Sequence, residues 1–248
     1  MKVTVLGSGV MIPTKERNPA GFLIEVEDKK ILLDCGHGVI RRLIDYGFKL
    51  SEIDMVFISH FHTDHFSDFC PLIHARWVED AYLEKDNRSI LAIGPNGLEK
   101  QFQNWRSIFW REPEEKHPIK FKEGIFSFEE LGLKVETFPV NHVRWFESIG
   151  IKLSCNGKTI VYPGDLGPEQ PLFYDKVENA DLLIIEGGYS KPYPNHLSFK
   201  QIEELVRRQS IKQSLIVHIR PQFVTEIEEL VKNNSNIILG IDGLRLEI

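Results

Sequence analysis

The chain has 248 residues, 42% of them hydrophobic, with 36 Asp and Glu against 30 Lys and Arg, a formal net charge of −6 and a pI near 5.9. Length and apolar content suit a single domain over residues 1–248, and the acidic balance is opposite to the footprint of a non-specific nucleic-acid binder, so charge does not favour RNA. Three cysteines without paired spacing (Cys35, Cys70, Cys155) argue against a disulfide framework and suit a reducing cytoplasm, while neither a signal-peptide core nor a run long enough to span a membrane is present.

Residues 1–6 alternate as a strand, and Gly7-Ser8-Gly9, which lacks the Lys and spacing of a phosphate loop, reads as a turn near the mouth of a site. A hairpin is predicted over 22–26 and 30–34, then a helix over 39–46 ended by Gly47. The apolar run 54–59 reads as a buried strand. It is followed by a helix over 67–83, a strand over 89–93 and an amphipathic helix over 97–109. Further strands are predicted at 133–138, 149–153, 159–162, 182–186 and 215–218. Helices are expected at 198–208, with Ser198 and Gln201 forming a capping box, and at 225–232. The pattern of the first half roughly repeats in the second, without the fixed short period of a solenoid or propeller.

Where the strand at 54–59 runs out, His60-Phe61-His62-Thr63-Asp64-His65 supplies three imidazoles and a carboxylate. Residues two apart at a strand end point to one side, so His60 and His62 can share one metal ion. Asp64 and His65, a turn further on, can reach a second. Zinc-type sites want about four donors, with one position left for water or substrate, so other strand ends must contribute. His142 stands beyond 133–138, Asp165 lies in the turn after 159–162 as a carboxylate able to bridge two cations, and His218 ends 215–218. A metal-dependent hydrolase is the leading reading. Arg17, Arg41, Arg42, Arg144 and Arg220 would add local positive potential that the net charge hides.

The ordered set of HxHxDH, a later His, Gly-Asp and a last His resembles the metallo-β-lactamase superfamily over essentially the whole chain. That resemblance implies an α/β fold, the αββα four-layer sandwich. It also implies two divalent ions, zinc first with manganese or iron as alternatives. His60, His62 and His142 would hold one ion, Asp64, His65 and His218 the other, and Asp165 would bridge them. Flavodiiron oxidoreductases of the superfamily carry Glu where this chain has His62, which favours hydrolysis. A narrower similarity, to the ribonuclease Z-like branch, is carried by Asp34-Cys35-Gly36, Tyr162-Pro163-Gly164-Asp165, the segment 180–186 ending in Glu186, and Asn195-His196-Leu197-Ser198. It implies that Glu186 and His196 assist catalysis. Asp64 would accept hydrogen bonds from the nucleophile, and His196, oriented by Glu186, would be the acid for the leaving oxygen.

The long Gly/Pro-rich arm with which ribonuclease Z enzymes grip transfer RNA is not visible here. The expected substrate is therefore an RNA end, a cyclic nucleotide or a related small phosphodiester. Two other classes remain open: an ester, thioester or lactone hydrolase using the same ions, and a non-catalytic metal-binding scaffold, against which the full ligand set argues. Glu186 could instead pair with a surface cation, and His196 could be a helix N-terminal feature. His37, His74 and His117 match no motif and read as solvent-facing or structural. Trp105, Phe109 and Trp110 read as core or as the interface of a homodimer.

Overall fold

The structure, a computed structural model, describes residues 1–82, 89–109, 119–168, 170 and 172–248. Its strands are β1 (Lys2–Gly7), β2 (Gly21–Val26), β3 (Lys29–Leu33), β4 (Met55–Phe57), β5 (Ile90–Gly94), β6 (Ile119–Glu123), β7 (Ser127–Glu130), β8 (Leu133–Val140), β9 (Ser148–Cys155), β10 (Lys158–Tyr162), β11 (Leu182–Glu186), β12 (Gln213–Val217), β13 (Ile237–Leu239) and β14 (Arg245–Glu247). They form two seven-stranded sheets, in the orders β14-β1-β2-β3-β4-β5-β6 and β13-β12-β11-β10-β9-β8-β7. In the first sheet the pairs from β14 to β3 are antiparallel and those from β3 to β6 parallel. The second repeats this, antiparallel from β7 to β10 and parallel from β10 to β13.

Alternation along the strands explains the layering. Val3, Val5, Phe22, Ile24, Ile31 and Phe57 of the first sheet pack with Val135, Ile151, Leu153, Ile160, Ile184 and Leu215 of the second in one buried core. Their neighbours along the chain point the other way, because side chains alternate across a strand. The helices are α1 (Val39–Asp45), α2 (Thr63–Phe66), α3 (Phe69–Tyr82), α4 (Leu98–Phe109), α5 (Tyr174–Val177), α6 (Phe199–Arg208) and α7 (Val224–Asn233). Leu23, Leu32 and Val56 pack under Leu43, Phe69 and Phe102 of α1, α3 and α4. On the far side Leu183, Ile185 and Ile216 pack under Ile202 of α6 and Ile227 of α7. This is the αββα sandwich. Each fully buried aliphatic or Phe side chain in it contributes roughly 1.5–3 kcal/mol.

Two departures from the sequence-based expectations matter. The helix expected over 67–83 is present as α3, starting at Phe69 and with Leu83 outside the described residues, but a separate helix, α2, precedes it. Asp68, between the two, turns its carboxylate to accept the N–H groups of Gly38 and Ile40 at the start of α1, while its own N–H goes to Cys35 O. Asp64 and His65 therefore sit on a separate one-turn helix. The second departure is that β6, β7, β13 and β14 were not expected. The capping box of Ser198 and Gln201 is present. Trp105 is half-buried against the helix-side core, Ile108 and Phe109 are exposed, and Trp110 and His117 lie outside the described residues. No helix among the described residues is long and apolar enough to cross a membrane.

Candidate metal centre

One edge of the two sheets collects the chemistry. Asp34 follows β3, His60 and His62 follow β4, His142 follows β8, Asp165 follows β10, Glu186 closes β11 and His218 follows β12, so each sits at a strand's C-terminal end. This is where α/β sheets open their crevice. Asp34 and His218 hold φ at 55° and 53°, in the sparsely populated left-handed region, and Gly164 before Asp165 at 69°. A Cβ on Gly164 would stand 2.5 Å from Ser59 Cβ, and one on Gly36 would stand 2.1 Å from the backbone oxygen of Asp64. Those two glycines let the metal-facing loops pack directly on one another.

His60 Nε2 lies 2.9 Å from His62 Nδ1, which lies 3.3 Å from His142 Nε2. On the other side, His218 Nε2 is 3.4 Å from Asp64 Oδ2, and His65 Nε2 is 3.8 Å from the same oxygen. Asp165 stands between the two sets: Oδ1 is 3.4 Å from His65 Nε2, and Oδ2 is 3.3 Å from His218 Nε2 and 3.9 Å from His142 Nε2. Donor atoms of His60, His62, His142 and Asp165 fall within 4.8 Å of one another, as do those of Asp64, His65 and His218. All seven sequence-predicted donors are thus brought together. His37 and His74 are half-buried elsewhere.

The hydrogen bonds behind the rings decide which nitrogen faces the centre. Ser59 gives its hydroxyl proton to Asp34, so its oxygen accepts from His60 Nδ1–H at 2.9 Å. His142 Nδ1 can only donate to the carbonyl of Asn195, at 3.0 Å, and His65 Nδ1 donates to Asp34 Oδ2, at 2.6 Å. With Nδ1 protonated, the neutral rings of His60 and His142 point bare Nε2 lone pairs inward, as metal ligands must. Burial would lower His65, but Asp165, Asp64 and Asp34 hold it well above its usual pKa, so it gives up its Nε2 proton only when a cation takes that place. His65 Nε2 is buried without a hydrogen-bond partner. Burial, helped by His65, holds the His60 imidazole well below its usual pKa, and burial lowers His62 and His142 as well. Burial alone would raise the two aspartates, but His218 and His65 keep Asp165 well below the carboxylate range and His65 keeps Asp64 at about 2. Inward lone pairs beside two ionised carboxylates fit divalent cations.

Asp34 had no assigned role in the sequence reading beyond its place in a motif. It is fully buried and accepts from Ser59 N and Oγ, each at 2.7 Å, from His65 Nδ1, and from Tyr162 Oη at 2.5 Å. A lone Asp at the end of an apolar strand was the available signal. What it touches, 25 to 128 residues away, was not.

His196 and Glu186 adjoin the centre. His196 Nδ1 donates to Glu186 Oε2 at 2.5 Å, and Glu186 Oε1 accepts from Leu197 N at 3.1 Å. Burial and the nearby Asp165 push the Glu186 carboxyl up to about 8. Donor atoms of this pair also fall within 4.8 Å of Asp165 and His218. A cavity of about 500 Å³ opens over the centre, walled by His62, Asp64, His142, Asp165, His196 and His218, with Val10, Met11 and Ile12 as an apolar lip and Arg220 on its rim. The other arginines are committed or apart. Arg17 is buried against Ser8 and Gly240, Arg41 pairs with Asp45, Arg42 pairs with Asp242, and Arg144 borders a neighbouring cavity.

The sequence pattern of the Beta-lactamase superfamily domain matches residues 29–219, more than half of the chain, and includes the seven candidate donors, Asp34, Glu186 and His196. The chain belongs to the metallo-β-lactamase superfamily. Among curated relatives, ribonuclease Z of Thermococcus sibiricus is 28% identical over 96% of the chain and 91% of its own length. Ribonuclease Z of Methanosarcina acetivorans is 22% identical, covering 100% of the chain and 98% of its own length. That alignment runs over 308 positions against 248 residues here, leaving at least 60 without a counterpart in this chain. The metallo-β-lactamase fold protein YhfI from Bacillus subtilis superposes with a TM-score of 0.84 at 22% identity, covering 100% of this chain and 99% of that one. The short form of human tRNase Z gives 0.81 at 20% identity, with 100% and 99% covered.

Proposed function

We propose that this chain works in the cytoplasm as a single domain over residues 1–248, a dinuclear zinc-dependent phosphodiesterase acting on RNA ends, cyclic nucleotides or related small phosphodiesters. The observation that carries it is His196, held by the buried Glu186, on the wall of the cavity that Asp64, Asp165 and His218 also line. A phosphodiester expels an alkoxide, a poor leaving group that needs a proton as the P–O bond breaks. His196, held through Nδ1, has its other nitrogen free to carry to the leaving oxygen the proton that the attacking water gives up. Divalent ions held by His60, His62 and His142 on one side, by Asp64, His65 and His218 on the other, and by Asp165 between them would lower the pKa of bound water toward about 7 and offset phosphate charge. Asp64 accepts a hydrogen bond from the attacking water and fixes its direction. Glu186 keeps the His196 ring in place through both events.

The two curated relatives named above are ribonucleases Z, and a diphosphatase of the PhnP family shares the fold at a TM-score of 0.76 and 19% identity. The positions of the Methanosarcina relative without a counterpart here, and the net charge of −6, favour a small diester or an RNA end over a large folded RNA. The three free cysteines suit the reducing cytoplasm.

Purified protein should carry two equivalents of metal, cleave bis-p-nitrophenyl phosphate, lose that activity to a chelator and recover it with zinc. Fast cleavage of p-nitrophenyl acetate without cleavage of the diester would reassign the centre to ester, thioester or lactone hydrolysis.

A further inference from the structure

Between β11 and α6 the chain runs through Tyr189 and Tyr193, whose rings stack with centroids 4.6 Å apart and planes 12° from parallel. The Arg220 guanidinium lies over the Tyr189 ring at 3.8 Å and donates to Gly188 O at 3.3 Å. Both rings adjoin His196, with centroids at 5.3 Å for Tyr189 and 6.0 Å for Tyr193. Backbone bridges tie Tyr189 to Ser198 and Tyr193 to His196, so the stack is fixed relative to the imidazole. Prolines flank Tyr193 on both sides, at Pro192 and Pro194, which restricts the backbone there. Tyr193 nevertheless remains 47% exposed. A rigid aromatic face, held open beside a proton donor and next to the cationic side chain on the cavity rim, is more than a staple for its own loop.

We propose that Tyr193, backed by Tyr189 and Arg220, is a stacking subsite for the planar base of the nucleoside that leaves the scissile phosphodiester. This rests on the phosphodiesterase reading and names the leaving group that reading left open. A base lying flat on Tyr193 sits about 3.5–4 Å beyond the ring, and its sugar reaches back to the leaving oxygen beside His196. Arg220 supplies positive charge on the phosphate side, where the lining holds no other Lys or Arg among the described residues. Every base has a π-face, so the subsite selects for the presence of a base over its identity.

The test compares kcat/KM for the dinucleotide ApA with that for an analogue lacking the base on the leaving nucleoside. A short single-stranded RNA with the same last two residues, run in parallel, tells a small diester from a polymer end. Wild-type protein should prefer the base-bearing substrate about tenfold or more. Tyr193→Ala should reduce that preference to near unity on whichever of dinucleotide and RNA is turned over faster, and Tyr193→Phe and Tyr193→Trp should retain it. A wild-type ratio near one, or a ratio that survives Tyr193→Ala, overturns the subsite while leaving the phosphodiesterase reading intact. Failure of the wild type to cut any of the diesters removes both.

Discussion

Asp34 gathers three side chains on one buried carboxylate. Its carboxylate receives Ser59, His65 and Tyr162 and, through Ser59, sets the His60 tautomer. In Asp34→Asn one oxygen becomes an NH₂ group, so a donor meets a donor in a buried network. Metal affinity should fall about 10–100-fold, as for other partners of metal-bound histidines, measured by competition with a chromogenic chelator. Unchanged affinity would refute the positioning role. His196 makes the opposite case. It stands within ligand reach of Asp165 and His218, yet its Nδ1 is engaged by Glu186. His196→Ala should keep two equivalents of metal while kcat on an unactivated diester drops by roughly 10²–10⁴. Loss of an equivalent of metal would instead make His196 a ligand.

At the scale of elements, the strands that patterning missed are informative. β6, β7, β13 and β14 are the outer strands of the two sheets. β6, β7 and β14 are short, charged and half-exposed, which blunts them against pairing with other chains and erases the apolar signature of inner strands such as Leu182–Glu186, whereas β13 is apolar but only three residues long. The separate turn α2 before the helix expected from 67 was missed for another reason. Periodicity cannot register that Asp68 is drawn off to the start of α1. Asp181 shows an element junction held by charge. Its carboxylate accepts from Thr159 N at 2.9 Å, Lys212 Nζ at 2.8 Å and Lys158 Nζ at 3.4 Å, tying the start of β11 to β10. Burial works to raise its pKa, but the Lys212 and Thr159 hydrogen bonds and Lys158 outweigh it and hold the carboxyl below its ordinary value. A depressed folded pKa contributes stability that is present above the unfolded value, about 3.9, and is lost as pH falls through the folded one. The gap in urea midpoint between wild type and Asp181→Asn should therefore be full at pH 7 and shrink below about pH 4. A gap independent of pH would show that charge at Asp181 is not what holds the junction.

At the scale of the whole molecule, the proposed ligands come from both sheets. His60, His62, Asp64 and His65 follow a strand of the first, and His142, Asp165 and His218 follow strands of the second. Ions bound there would staple the sandwich at one edge. Zinc at a hundred times its Kd should stabilise the folded chain by about 2.7 kcal/mol, at roughly 2–4 °C in Tm per kcal/mol for a chain of this size. Calorimetry of chelated and zinc-loaded protein measures this directly, and identical melting curves would show that the donors do not hold metal.

The donors were legible in the sequence because metal chemistry restricts ligands to a few residue types, and strand ends announce themselves through apolar runs. His60, His62, Asp64, His65, His142, Asp165 and His218 could all be named from those two facts and the family resemblance, and so could the layered fold. Which nitrogen each histidine presents, that Asp34 serves two of them, and that Tyr193 faces outward beside His196 could not. Those are consequences of how strand order and the packing of the loops at the strand ends place side chains, and only the tertiary structure fixes such distances.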